Sequence, residues 1–422
     1  MTWGQPQNVT ALRCLLCKTP YPHGEMYTCP RCGLNGILDV EYNYDKVATA
    51  LSRRRPAHRA ANIWRYVDLL PVSPDVPLPH LDVGWTPVYN VPRMADVIGV
   101  RRLLLKDDGR NPTSSFKDRA SAIGVMKANE FDRRAVACAS TGNAASSLAG
   151  LSAAVGLKSY IFVPERSPEP KVTQLLIFGA TVFRVHGSYE DAFELCRQAC
   201  ETFGWYNRNS GVNPFLVEGK KTAGLEIAEQ CKQTMPDWVV VSVGDGCTIG
   251  GIGKGLWEMH RLGMIARVPR LLGVQATGAR PIVDAFLSGG ELVPTRPETV
   301  ADSIAVGTPR NWRRAIAQVR ASNGEMIAVE DHEILDAMRV TARLGGVFGE
   351  PAGVAGVAGL RKAVKQGTVG REDSALVVIT GSGLKDIQAA RSAVGHELNI
   401  EPRFDAVKDA LAGMKDKDSA LS

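Results

Sequence analysis

A chain of 422 residues is too long for one hydrophobic core and is expected to fold as two or three domains. Hydrophobic residues at 45% and charged residues at 22% are ordinary for a globular protein, which excludes fibrous and disordered classes. The net charge of +6, from 50 Lys and Arg against 44 Asp and Glu, is mild and scattered in short clusters such as Arg53–Arg55, so nucleic acid is not an expected partner. The amino terminus lacks a basic stretch followed by an apolar core, and no window reaches the length of a membrane span. A cytoplasmic protein without membrane contact is expected.

Residues 1–40 form the first unit. Cys14-x2-Cys17 and Cys29-x2-Cys32, eleven residues apart, give two knuckles whose four thiolates suit one tetrahedral zinc ion. Such an ion holds together a piece too small to bury its own core, so the segment reads as zinc-ribbon-like. The alternative is an empty set of reduced thiols. Cys138, Cys196, Cys200, Cys231 and Cys247 lie singly or at helical spacing in apolar surroundings and read as unpaired.

Residues 41–80 read as a linker with some helix. Pro71, Pro74, Pro77 and Pro79 favour an extended arm over the main body. The body, 81–396, opens with the turn Gly84-Trp85-Thr86-Pro87 and then alternates strand-like and helix-like segments. Strands are expected at Leu103–Lys106, Ala135–Ala139, Tyr160–Val163, Thr181–Val185, Val239–Val243, Leu271–Gln275, Ile327–Val329 and Ala375–Ile379. Amphipathic helices are expected at Glu190–Phe203, Thr222–Lys232 and Asp331–Leu344. The alternation predicts an α/β protein with mostly parallel sheets covered on both faces. Residues 397–422, ending in KDKDSALS, read as a frayed tail.

One stretch, Lys106–Arg119 (KDDGRNPTSSFKDR), stands out. It runs from a strand end through a polar turn into a helix, with N-cap types Thr113, Ser114 and Ser115 just ahead of Lys117. A lysine in the first turn of a helix is electrostatically awkward, because cations prefer the other end. Three more polar, glycine-bearing turns follow strand-like runs: Ser140–Asn143, Gly244–Gly251 and Thr380–Gly383. Open α/β sheets place their ligands at such turns. Gly244, Gly246, Gly250 and Gly251 would let backbone N–H groups close on a phosphate at the start of a helix over Ile252–Leu262.

These four segments together resemble the fold-type II pyridoxal-phosphate enzymes, the threonine synthase family above all. Asn207–Gln230, Arg296–Thr299 and Gly349–Gly353 agree with that family. The resemblance implies a tryptophan synthase β-like fold of two open, mostly parallel sheets flanked by helices, with a smaller domain near 121–220 inserted in the larger. It implies that Lys117 binds the cofactor's aldehyde and that Asn143 faces the ring hydroxyl. It further implies that Thr380 faces the ring nitrogen, and that Gly244, Asp245, Gly246, Cys247 and Thr248 cradle the phosphate. Ser140 and Thr141 would take the substrate carboxylate, and Arg119, Lys220 and Lys221 are candidates for a substrate phosphate. Where the family commonly reads GNGGN, this chain has Asp245 and Cys247, and an aspartate beside a phosphate is unexpected.

The implied activity is that of a carbon–oxygen lyase converting O-phosphohomoserine and water to threonine and phosphate. Lys117 would move protons at Cα and Cβ while phosphate leaves from Cγ and water adds at Cβ. Rivals on the same scaffold are a cysteate synthase-like β-replacement enzyme using O-phosphoserine and a serine/threonine dehydratase. A rival of another class is a zinc-ribbon binding protein with an inactive body. A homodimer is the expected assembly, and a small phosphorylated amino acid the expected partner.

Overall fold

The computed structural model describes residues 6–53, 60–167, 169–395 and 397–419. Arg54 and Arg55 of the basic cluster, and the last three residues of the tail, lie outside them.

The first unit is a small antiparallel sheet of β1 (Val9–Cys14), β2 (Pro20–Tyr21), β3 (Thr28–Cys29) and β4 (Gly33–Tyr42), in the order β2-β1-β4-β3. The linker carries α1 (Tyr44–Arg53) and a short 3-10 turn at Ile63–Leu69, whose Ile63, Trp64 and Leu69 are buried. Val72 and Val76 of the proline-rich run are buried as well. The arm is therefore packed rather than loose.

The body begins with β5 (Val88–Asn90), α2 (Pro92–Ile98), β6 (Arg102–Asp107) and α3 (Lys117–Glu130). There follow β7 (Ala135–Ala139), α4 (Asn143–Val155), β8 (Lys158–Pro164), α5 (Glu169–Ile177), β9 (Thr181–Val185), α6 (Tyr189–Phe203) and β10 (Tyr206–Asn207). These four strands make a parallel sheet in the order β10-β7-β8-β9. Next come α7 (Phe215–Gln230), β11 (Trp238–Ser242), α8 (Cys247–Arg261), β12 (Arg270–Ala276), α9 (Pro281–Ser288), α10 (Trp312–Ala321) and β13 (Glu325–Val329). The chain closes with α11 (Asp331–Gly345), α12 (Pro351–Lys365), β14 (Ser374–Ile379), α13 (Ile387–Ala393) and α14 (Phe404–Ser419).

The larger sheet has the order β13-β12-β11-β14-β6-β5 and is parallel except at β5. Its central strands β11 (WVVVS) and β14 (SALVVI) are buried along their whole length. A strand covered on both faces needs a continuous apolar run, and these supply one. The tail read as frayed carries α14 instead.

Helices α7 and α8 cross very closely. A Cβ on Gly224 would stand 2.2 Å from Ile252 O, and one on Gly255 would stand 2.3 Å from Lys221 O. Both glycines exist because another backbone occupies that space. This contact brings the start of α8 beside α3 and α7, which is where the sequence motifs meet.

Candidate active site

Lys117 is the first residue of α3 and is held from two sides. Ahead of it, Thr113 donates its N–H and hydroxyl to the Asp118 carboxylate at 2.7 and 2.5 Å. Phe116 N donates to Thr380 O at 2.8 Å, and Ser382 N donates to Ser114 O at 3.1 Å. The loop before Lys117 is thereby joined to the loop after β14. Behind it, Arg119 is fully buried and donates to Asp108 (2.5 and 2.9 Å) and Glu226 (2.5 and 2.8 Å). Lys106 pairs with the same Glu226 at 2.8 Å.

Lys117 itself is half-buried. Burial, followed by the nearby Lys220 charge, lowers its pKa to about 8, against the opposing pull of Glu350. A neutral amine is thus within reach near neutral pH, as a lysine nucleophile requires.

The glycine-bearing turn expected to cradle a phosphate is narrower than the glycine count suggests. Helix α8 begins at Cys247 rather than Ile252, with Gly246 as N-cap at φ 95° and no side-chain cap. Gly250 and Gly251 lie inside the helix. A Cβ on Gly250 would meet Arg314 Cδ at 2.7 Å, and one on Gly251 would meet Lys220 Cβ at 3.0 Å. They serve packing, which leaves Gly244–Thr248 as the turn that opens α8. Its aspartate does not disturb it. The Asp245 carboxylate accepts from Arg310 N (2.7 Å), Asn311 Nδ2 (2.9 Å) and the Cys247 thiol (2.8 Å), as an internal strut.

Beside these elements opens a cavity of about 490 Å³. Thr141, Gly142 and Asn143 at the start of α4 line it, together with Glu350. Asn143 Nδ2 donates to Glu350 Oε1 at 2.7 Å and to Ser303 Oγ at 3.3 Å. A Cβ on Gly381 would stand 2.2 Å from Glu350 Oε1, so Gly381 makes room for that carboxyl. Burial raises the Glu350 pKa to about 7, opposed by Lys117. Ser140 Oγ accepts from Gly142 N at 3.3 Å, which shapes the turn. Two cations stand at the cavity: Lys171, paired with Asp302 at 2.5 Å, and Lys385, which donates to Ser146 Oγ at 3.0 Å and Gln174 at 3.1 Å.

Two of the three cations offered for a substrate phosphate are spent elsewhere. Arg119 is enclosed by Asp108 and Glu226. Lys221 is fully buried between Glu218 (2.6 Å) and Glu258 (3.0 Å), with its ammonium 4.0 Å from the Tyr42 ring. A buried charge held by carboxylates cannot turn to a ligand without leaving them unpaired. Of the three, Lys220 alone stands close enough to Lys117 and Cys247 for their charges to act on one another. Sequence reasoning missed Arg208, which donates to Ser121 Oγ and, at 3.5 Å, to Lys117 O. It also gave Glu350 no role, although the segment Gly349–Gly353 had been singled out.

In the first unit, the sulfurs of Cys14, Cys17, Cys29 and Cys32 lie within 4.8 Å of one another. Lys18 and Gly33, each just past a CxxC pair, take φ of 63° and 59°. A Cβ on Gly36 would meet Cys29 Cβ and Cys32 Cβ at 2.6 Å, so that glycine lets the two knuckles close. The donor set is of the kind that suits zinc. Strand β4 ties this unit to the body: Asp39 accepts from Lys254 (3.0 Å) and from Arg314, and Tyr42 donates to Glu218 at 2.8 Å.

The parts around Lys117 suit a phosphate-bearing aldehyde. They are a lysine amine of lowered pKa, an uncapped helix start, and a buried hydroxyl, Ser115 Oγ, with no hydrogen-bond partner among the described residues. Comparison with known proteins agrees. The family described as "Pyridoxal-phosphate dependent enzyme" matches residues 80–381. A threonine synthase of Methanocaldococcus jannaschii is 38% identical over 403 residues, covering 94% of this chain and 98% of that one. A threonine synthase of Synechocystis is 39% identical over 357 residues, covering 82% of this chain and 91% of that one. Among solved structures, threonine deaminase isoform 2 from Solanum lycopersicum superposes with a TM-score of 0.63 at 20% identity, covering 74% of this chain and 88% of that one, a likeness of fold alone.

Proposed function

The chain belongs to the threonine synthase family of pyridoxal-phosphate-dependent enzymes, and on that ground we propose that it converts O-phosphohomoserine and water to threonine and inorganic phosphate. The observation that carries this reading is identity of 38% to a threonine synthase sustained over 94% of the chain, with the Lys117 amine, the Asn143–Glu350 pair and the α8 start gathered in one place.

When bound, pyridoxal phosphate supplies the electron sink that lets protons leave carbon. The chain supplies the rest. The Lys117 amine would hold the cofactor and would carry protons at Cα and Cβ of the substrate. The first N–H groups of α8 take the cofactor's phosphate. Asn143, steadied by Glu350, would hold the ring hydroxyl, and Thr380 would serve the ring nitrogen. Ser140 and Thr141, at the start of α4, receive the substrate carboxylate. Lys385 and Lys171 are the cations that the cavity itself offers to the substrate's phosphate.

In the first unit, the four cysteine thiolates would hold one structural zinc ion. Elemental analysis at one zinc per chain supports that, and an absence of zinc in protein prepared with it overturns it. The reading extends to a cytoplasmic homodimer that binds a small phosphorylated amino acid and no nucleic acid. Sizing chromatography tests the dimer.

The decisive experiment gives the purified enzyme O-phosphohomoserine and follows phosphate, threonine and 2-oxobutyrate together. Phosphate and threonine in equal amounts are expected. 2-Oxobutyrate in place of threonine would make it a dehydratase-like sibling, and turnover of O-phosphoserine alone would make it a β-replacement enzyme.

A further inference from the structure

Helix α7 carries two adjacent lysines with opposite surroundings. Lys221 has two carboxylates. Lys220 is 2% exposed, and among the described residues no carboxylate lies within ion-pair distance of it. Its ammonium has the Cys247 thiol, at the first position of α8, as a hydrogen-bonding neighbour, and its stem lies against Gly251 of the same helix. Arg208 is 1% exposed and, among the described residues, has no carboxylate at ion-pair distance, Asp118 acting on it from farther away. Its donors go to Ser121 Oγ (3.0 and 3.2 Å), Ser210 Oγ (3.1 Å) and Lys117 O. Ser210 O in turn accepts from the Cys247 thiol at 3.4 Å, so both cations converge on the start of α8.

Asp245 is near Lys220 but already accepts three hydrogen bonds. Cys247 cannot balance the charge either. Burial, then the Asp245 charge, pushes its thiol up to about 12, so it stays protonated. Two buried guanidinium and ammonium groups with no anion are costly to keep. Their placement makes sense if an anion completes the site.

Resting on the family reading above, we infer that Lys220 and Arg208 form a charged half of the cofactor-phosphate site, supplementing the backbone N–H groups of Gly244–Thr248 with two direct cations. The ligand chemistry is a phosphomonoester dianion. The cofactor and the substrate both carry one, and the geometry favours the cofactor's because Lys220 lies against the α8 start rather than among the residues lining the cavity. This arrangement also accounts for Asp245: a loop that faces two cations tolerates one carboxylate beside it.

The test compares pyridoxal phosphate with pyridoxal, which lacks only the phosphate. Cofactor-resolved full-length protein is titrated with each compound, followed by absorbance, for wild type, Lys220→Gln, Lys220→Arg and Arg208→Gln. Lys220→Gln is expected to weaken pyridoxal phosphate roughly 10- to 100-fold, the span of one charge-assisted hydrogen bond, and to leave pyridoxal unchanged. Lys220→Arg should recover most of the loss, and Arg208→Gln should behave like Lys220→Gln. Equal loss for both compounds would make the residues packing elements and overturn the inference. So would unchanged cofactor affinity with a raised KM for O-phosphohomoserine, which would move the cations to the substrate's phosphate. Wild type that takes up no pyridoxal phosphate at all would overturn the proposed function first, and this inference with it.

Discussion

Two groups of buried or half-buried cations lie on and around helices α3 and α7, and they differ in one respect. Lys106, Arg119 and Lys221 are each held by carboxylates, from Asp108, Glu218, Glu226 and Glu258. Among the described residues, Lys220 and Arg208 have no carboxylate at ion-pair distance, and Lys117 feels only the more distant Glu350. The paired group fastens the polypeptide; the unpaired group is the one to which the proposals above give a ligand. Burial alone therefore does not mark a functional lysine. Burial without a counter-charge does.

The contrast can be broken most completely at Lys117. Lys117→Ala should abolish the visible absorbance of bound cofactor together with all turnover, and an unchanged spectrum would remove Lys117 from its role. Next in size is the paired group. Arg119→Leu strands Asp108 in the interior and leaves Glu226 to Lys106 alone, and should destabilise the protein by about 3–5 kcal/mol in urea unfolding. Lys220→Met strands no carboxylate, so the cofactor-free protein should lose under about 1 kcal/mol or become more stable. Comparable losses in the two variants would erase the distinction.

The pH dependence of the cofactor-free protein sharpens the contrast further. Glu226 is lowered from 4.5 to about 2, despite burial, by Arg119 and Lys106. A carboxylate with a depressed folded pKa contributes stability that is complete above its unfolded value, so this contribution should fade as pH falls from 4.5 towards 2. Lys117 is lowered from 10.5 to about 8, so between those values the unfolded chain holds a proton that the folded one has shed. Its contribution to stability should therefore rise with pH from 8 to 10.5. Melting temperatures of wild type and Lys117→Met across that window give the difference, and parallel curves would contradict it.

Much of this was readable in the residues. The runs Ala135–Ala139 and Thr181–Val185 form strands with those bounds, the first because a buried parallel strand announces itself as an unbroken apolar run, the second, a mostly exposed edge strand, through its β-branched and aromatic residues. Helices α7 and α8 were placed too late, at Thr222 and Ile252 instead of Phe215 and Cys247. In α8, Gly250 and Gly251 had been read as part of the turn before the helix. In the structure Gly219, whose Cβ would stand 2.1 Å from Arg119 O, is a point of backbone contact between helices, and nothing local in the sequence distinguishes that use. The four site motifs were legible because each sits at a strand end. Which of Arg119, Lys220 and Lys221 faces a ligand was not, because that depends on carboxylates about 11 to 110 positions away in most cases.

The strand order of the larger sheet has a further consequence, for synthesis on the ribosome. Strand β6, which leads into Lys117, finds β5 just before it, but its other neighbour β14 is translated roughly 270 residues later. At about 5–20 residues per second that is a wait on the order of tens of seconds. The N-terminal sheet and the smaller parallel sheet have emerged complete long before then. The loop that fixes Lys117, with Thr380 and Ser382, comes last. A nascent chain halted before Ser374 thus carries its reactive lysine without the partner that aims it, and the capacity to act arrives only near the end of translation.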